Sequence, residues 1–227
     1  MYWFLKNFVV YPALRVAFRF RVTGARNIPR RGPVILVSNH RSLIDSFFIP
    51  LIVRRQVTFL AAKNYFDGRG PGGAFVRGFL LGVGMLPIDR SGGNASRASL
   101  DTGIQALTEG KALGIYPEGT RSPDGALHRG RTGVARLVFA SGVTVVPIAI
   151  RGTENILPKG AKFPRFAKVS LTVGRPLHFD ELPDSEIDAP ALRAVTDRIM
   201  QEIAALGPFE YADSYASTVK NGSARDR

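Results

Sequence analysis

The chain has 227 residues, 45% of them hydrophobic, which suits one domain with a sizeable buried core. It contains no cysteine, so disulfides, thiolate nucleophiles and cysteine-based metal sites are excluded. A formal net charge of +13, from 31 Lys and Arg against 18 Asp and Glu, points to a polyanionic partner: nucleic acid, an anionic bilayer or phosphorylated substrates.

No acidic residue precedes Asp45, whereas Lys6, Arg15, Arg19, Arg21, Arg26, Arg30, Arg31 and Arg41 all do. Between these cations lie Trp3, Phe4, Phe8, Tyr11, Leu14, Phe18 and Phe20. A solvated nucleic-acid arm carries fewer large apolar residues. The mixture suits an interfacial segment, with rings in the acyl boundary and cations at lipid phosphates. The longest uncharged run there, Asn7–Leu14, is far shorter than the roughly 18 residues of a spanning helix. No small-x-small cleavage site follows, so residues 1–20 read as a retained monotopic helical segment rather than a signal peptide. Pro12 marks a kink or a helix start. The alternative is an ordinary helix packed on the domain.

Val34–Ser38, β-branched and apolar after a Gly-Pro break, predicts a buried strand. Leu43–Val53 predicts a helix, Val57–Ala62 a strand, and Asp67–Gly73 a glycine-rich turn. Ala74–Leu81 follows as a helix, Met85–Ile88 as a strand and Ala95–Glu109 as a helix closed by Gly110. Ala112–Tyr116 predicts a strand stopped by Pro117, Thr132–Ala140 a helix, and Val143–Ile150 a strand containing Pro147. Lys168–Val173 predicts another strand and Ala191–Leu206 a final amphipathic helix. This alternation predicts an α/β fold, one mixed sheet covered by helices on both faces, over residues 21–206. Residues 207–227 read as a flexible polar tail.

Three polar clusters sit where strands end. In the first, Asn39 to Asp45, His40 and Asp45 are five apart. On a straight helix that is about 140° of rotation, so they share no face. His40 must then lie in the turn and Asp45 in the first helical turns. A carboxylate so placed can accept from one imidazole nitrogen and leave the other to take a proton from an alcohol. The spacing alone favours a helix N-cap beside a histidine. In the second, Tyr116 to Ser122, glycine permits close backbone approach, and Thr120, Arg121 and Ser122 offer donors for phosphate. Arg129 and Arg131 follow just before a helix start, which itself favours anions. The third, Gly84 to Arg90, ends in an Asp-Arg pair that by itself reads as a surface ion pair. His128 and His178 show no metal-ligand spacing and read as surface residues. Gly68-x-Gly70-x-x-Gly73 matches a dinucleotide fingerprint formally, but it follows no strand directly and contains Pro71. Ser42 beside His40 reads as a capping residue rather than a nucleophile.

Taken in order, these segments resemble the glycerolipid acyltransferase family. Its NHxxxxD motif is matched by Asn39, His40 and Asp45, and its G-x-x-x-[IV]-D-R motif by Gly84, Ile88, Asp89 and Arg90. Its F-P-E-G-T-R-S motif is matched by Pro117 through Ser122, with Tyr116 for Phe, and its V-P-[IV] strand by Val146, Pro147 and Ile148. The resemblance covers about Arg21 to about Pro176. It implies a glycerol-3-phosphate acyltransferase-like fold with His40 as general base and Asp45 orienting it. It assigns Arg90, Glu118, Gly119, Thr120 and Arg121, with Arg131, to the acceptor and phosphate site, and Pro147 to shaping the acyl site. It implies transfer of an acyl group from acyl-CoA or acyl carrier protein to the 2-hydroxyl of 1-acyl-glycerol-3-phosphate without an acyl-enzyme. No metal or cofactor is needed beyond the thioester co-substrate. The expected partners are an anionic membrane surface, a lysophospholipid acceptor and the acyl donor, with no nucleic acid. The expected location is peripheral or monotopic at the cytoplasmic face of the cell membrane. Two alternatives stand beside it: an acyltransferase for glycerol 3-phosphate, another lysophospholipid or a lyso-aminolipid, and a non-catalytic basic protein binding membrane or nucleic acid.

Overall fold

In the computed structural model, residues 8, 11–82, 84–88, 94–156, 163–179 and 188–225 are described. The hub is strand β2 (Val34–Ser38), whose five residues are all buried. Before it come helix α1 (Tyr11–Ala17) and strand β1 (Arg21–Thr23). After it run helix α2 (Asp45–Ile52), strand β3 (Val57–Ala62), helix α3 (Gly70–Gly82), strand β4 (Met85–Ile88), helix α4 (Asn94–Thr108) and strand β5 (Ala112–Ile115). Strand β6 (Leu127–His128), helix α5 (Gly133–Ser141), strand β7 (Val145–Arg151), helix α6 (Thr153–Ile156) and strand β8 (Ser170–Val173) follow. Helix α7 (Ala189–Ala205), strand β9 (Tyr211–Ala212) and helix α8 (Ala216–Arg225) complete the described chain.

Seven strands form one sheet in the order β1-β8-β7-β2-β5-β3-β4. Every pairing is parallel except β7 with β8. Central parallel strands are covered on both faces, which is why β2 and β7 read as unbroken apolar runs. On one face Val34, Leu36, Val57, Phe59, Val146 and Ile148 form a core with Phe48 and Ile49 of α2. Tyr11 and Leu14 of α1 and Leu80 of α3 pack against it. On the other, Ile35, Val37, Leu113 and Val145 meet Leu107 of α4, Val134 and Leu137 of α5, and Ile199 and Ile203 of α7. The mixed α/β sheet flanked by helices is the fold that the alternation of elements implied.

Four features depart from the sequence reading. Strand β1 gave no apolar signal because it is a three-residue edge strand, exposed at Arg21 and Thr23, that pairs with β8. Helix α3 begins at Gly70 and absorbs half of the expected glycine turn. Ser42 does not cap α2, whose N-cap residue is Ile44, with no side-chain hydrogen bond. Residues 207–225 are not a loose tail: β9 pairs with β6, and Ala216 is fully buried. The polar residues that suggested solvent instead make hydrogen bonds to residues 127–131.

Pro147 sits inside β7, opposite Val37, where a proline is unusual. Its carbonyl accepts from Gly174 N just past the end of β8, so its missing N–H points beyond the ladder. Gly174 leaves room for the ring, since a Cβ there would meet Pro147 Cγ at 2.8 Å. Among the described residues no helix is long and apolar enough to cross a membrane.

Candidate active site

Strands β2 and β5 are hydrogen-bonded neighbours, with Val37 opposite Ile115. The chain therefore leaves both at adjacent points, and residues 78 apart in sequence meet in the loops beyond. Carboxyl ends of strands near a change of chain direction are where α/β sheets build sites.

His40 lies two residues beyond β2, and Asp45 opens α2. His40 Nδ1 is 2.9 Å from Asp45 Oδ2, the contact the five-residue spacing allowed. The same oxygen accepts from Arg41 N at 2.7 Å and Ser42 N at 2.8 Å, so the turn wraps the carboxylate. Asp45 is 0% exposed and its Oδ1 has no hydrogen-bond partner among the described residues. Helix α2 offers the carboxylate its positive N-terminal end. An acceptor that already takes two N–H groups fixes the proton on Nδ1, leaving Nε2 as the basic nitrogen.

Four further bonds hold the backbone around His40. Asn39 imitates a strand residue towards β7: its Nδ2 donates to Ile150 O at 2.9 Å and its Oδ1 accepts from Ile150 N at 2.8 Å. Ser122 N donates to His40 O at 2.8 Å. His40 N donates to Glu118 Oε1 at 2.8 Å, while Glu118 Oε2 accepts from His128 N at 3.1 Å. Glu118 is 1% exposed. Burial raises its carboxyl to about 7, against the opposing pull of those two N–H groups. Both of its oxygens are engaged by backbone N–H groups, so the carboxyl ties the His40 turn to β6.

His128 is also not the surface residue expected. It is 0% exposed, with Nε2 2.9 Å from Asp124 Oδ1 and Nδ1 3.2 Å from Ser214 O. Asp124, four residues earlier, was the available signal. His178 is exposed, as expected.

His40 lines a cleft of about 590 Å³. Phe59, Leu60, Ile88, Leu100, Ile115 and Leu137 make its apolar part, and Arg131, Arg136 and residues 132–134 at the start of α5 make its cationic part. A helix start and two arginines in the lining suit a phosphate. Arg136, missed in the sequence, was legible as the third arginine after Arg129 and Arg131. Gly119 also lines the cleft. It adopts φ 74°, and a Cβ there would lie 3.0 Å from Arg131 Cδ, so glycine is needed on both counts. Thr120 is half-buried and Arg121 exposed; neither lines the cleft. Pro147 lies in the sheet and does not line it. Arg90 lies outside the described residues. Among the described residues no three His, Asp or Glu converge as a metal site requires. No serine or threonine hydroxyl is hydrogen-bonded to the His40 ring among them.

Residues 19–151 match the acyltransferase family. The chain is 30% identical over 210 residues to a 1-acyl-sn-glycerol-3-phosphate acyltransferase of Bacillus subtilis, covering 88% of this chain and 96% of that one. It is 27% identical over 189 residues to a protein of the same name from Borreliella burgdorferi, covering 80% and 70%. The crystal structure of the 1-acyl-sn-glycerophosphate acyltransferase from Thermotoga maritima is similar with a TM-score of 0.59 and 27% identity, over 80% of this chain and 69% of that chain.

Proposed function

This chain belongs to the acyltransferase family, and on that footing we propose that it moves a fatty acyl group from a thioester to the 2-hydroxyl of 1-acyl-glycerol-3-phosphate, giving phosphatidic acid. The observation that carries the mechanism is the His40–Asp45 pair at a cleft that Arg131 and Arg136 also line. The acceptor phosphate sits against Arg131, Arg136 and the start of α5, with Arg90, Thr120 and Arg121 assigned to the same group by resemblance. His40 Nε2 takes the proton from the 2-hydroxyl. The oxygen attacks the thioester carbonyl, forming a tetrahedral oxyanion. Its collapse breaks the C–S bond, and the imidazolium returns the proton to the departing thiolate. The substrate hydroxyl is the nucleophile, so no acyl-enzyme forms; the absence of a serine or threonine bonded to the His40 ring among the described residues supports this. The donor is acyl-CoA or acyl carrier protein, and no cofactor takes part.

The membrane surface belongs to the same reading. Both acceptor and product carry acyl chains. Helix α3 has no buried residue, and Phe75, Val76, Phe79 and Leu81 are exposed beside Arg77. Phe75 is 75% exposed. An apolar helix without acidic residues, bearing a cation, fits an anionic interface. It lies on the sheet face that carries α1 and α2, and Phe79 stacks on Phe47 of α2 at 6.0 Å. On α1, Tyr11 and Leu14 pack inward while Arg15 and Val16 are exposed. The helix therefore combines the packed and interfacial roles weighed above. Most of residues 1–10 lie outside the described residues. Thioester donors are cytoplasmic metabolites, which makes the cytoplasmic face the working side.

The test is a transfer assay with the purified full chain in detergent micelles, labelled acyl-CoA and a panel of acceptors, beside His40→Ala. Acylation of 1-acyl-glycerol-3-phosphate that His40→Ala abolishes is the expected result. Turnover that survives the substitution overturns the mechanism. Transfer to glycerol 3-phosphate alone moves the acceptor assignment, and no transfer from either donor leaves a binding protein.

A further inference from the structure

Arg131 is a long, exposed side chain, yet residues beyond α7 hold it. Its Nη2 donates to Ser217 Oγ at 2.8 Å, and its guanidinium carbon lies 5.4 Å above the centre of the Tyr215 ring. Arg129 lies over the same ring at 5.8 Å. The segment carrying these two residues is docked along its length. Leu127 N donates to Glu210 O at 2.8 Å, Arg129 N to Ser214 O at 3.0 Å, and β9 pairs with β6. Arg131 N is itself fixed on Pro117 O at 2.8 Å, beside the turn that holds Glu118. The guanidinium therefore stands on an aromatic platform with one donor engaged. Arg131 also lines the cleft, and its other guanidinium donors make no hydrogen bond to the described residues.

We propose that Tyr215 and Ser217 are positioning residues for the acceptor phosphate, acting through Arg131. The inference rests on reading Arg131 as a phosphate contact. Both residues lie outside the 19–151 match to the family, so the device belongs to this chain's C-terminal segment rather than to the shared motifs. The physical case is pre-organisation. A free arginine loses several rotatable bonds on clasping a phosphate, whereas one already stacked and bonded loses fewer. A guanidinium is attracted to the tyrosine ring because the ring face is electron-rich, and this contact uses none of its N–H groups.

The experiment measures steady-state rates of the full chain in detergent micelles with varied 1-acyl-glycerol-3-phosphate, for Tyr215→Leu, Tyr215→Phe, Ser217→Ala, Arg131→Ala and the Tyr215→Leu/Arg131→Ala pair, with thermal midpoints for each. Tyr215→Leu and Ser217→Ala should each raise the acceptor KM by roughly three-fold or more, with kcat and donor KM unchanged. Tyr215→Phe, which keeps the ring, should behave as the parent. The double variant should show the acceptor KM of Arg131→Ala alone. An acceptor KM that rises with Arg131→Ala but not with Tyr215→Leu or Ser217→Ala overturns the positioning role. So does a Tyr215→Leu effect that persists undiminished without Arg131. An acceptor KM unmoved by Arg131→Ala itself would instead remove the phosphate reading beneath it. Ser217→Ala, a mild change at a partly exposed hydroxyl, keeps the test open if Tyr215→Leu is unstable.

Discussion

The imidazole of His40 lies flat on the ring of Tyr116, their centroids 3.9 Å apart and their planes 10° from parallel. The Tyr116 hydroxyl is 3.0 Å from Ser46 Oγ, one residue beyond Asp45. Phe59 stacks beside Tyr116 at 5.7 Å. Burial and the nearby Asp45 hold the phenol well above its ordinary value, so it stays protonated. The ring is therefore a fixed floor for the His40 imidazole. Tyr116→Phe keeps the floor and loses one hydrogen bond: stability should fall by about 1 kcal/mol in urea unfolding, with kcat nearly unchanged. Tyr116→Ala removes the floor and should lower kcat roughly ten-fold or more. Equal rates for parent and alanine variant would deny the ring any orienting role.

Asp45→Asn is expected to lower kcat by roughly three orders of magnitude with little change in acceptor KM. The amide oxygen can still accept from Arg41 N and Ser42 N, so the turn persists. What disappears is the anionic acceptor at Nδ1. The imidazole is then free to carry its proton on Nε2, where it cannot act as a base. Initial rates together with a thermal midpoint separate this from unfolding; a variant as fast as the parent contradicts the base assignment.

Glu118 should make stability depend on pH in an unusual direction. Its folded value of about 7 lies above the ordinary 4.5. The folded state therefore binds more protons between those values, and the protonated carboxyl stabilises the fold fully below pH 4.5. That contribution, about 3 kcal/mol at most, is lost as pH rises through 7. The thermal midpoint of Glu118→Gln should change less between pH 5 and pH 8 than that of the parent. Because Gln can accept only one of the two N–H bonds, its kcat should also fall, without a rise in acceptor KM. A rise in KM alone would place Glu118 at the phosphate site.

Replacing Phe75 and Leu81 on α3 by serine should weaken sedimentation with anionic vesicles by roughly ten-fold, with the unfolding midpoint unchanged. Binding should weaken further as salt is raised. If the double variant sediments like the parent, α3 does not meet the bilayer. Deleting residues 2–20 then tests the other surface, with a larger expected loss of vesicle binding than of folding.

The β-branched run of β2 and the break at Pro117 placed two loops correctly because central strands are buried on both sides and leave a strong apolar signature. Rotation per residue allowed the His40–Asp45 contact but favoured a helix cap; the ordered motifs, not the spacing, pointed to the pair. The place of Glu118 was not legible for a physical reason: its neighbours in sequence are phosphate-type residues, but its partners are the N–H groups of His40 and His128, set by the β2–β5 pairing. Backbone acceptors leave no residue-type signal. The end of the chain was misread for a related reason. Asp213, Ser214, Tyr215 and Ser217 are the residues of a solvated tail, and only their pairing with residues 127–131 shows them docked.

Asn39 clasps Ile150 while His40 itself is gripped at both its N–H and its carbonyl. The peptide groups on either side of the base are thus immobilised before any lipid arrives. On the proposed mechanism, acceptor binding need not order this turn, so its free energy is available for aligning the acceptor hydroxyl. A scaffold of this kind tolerates weak, greasy, poorly soluble substrates, because the reorganisation that chemistry demands was completed when the chain folded.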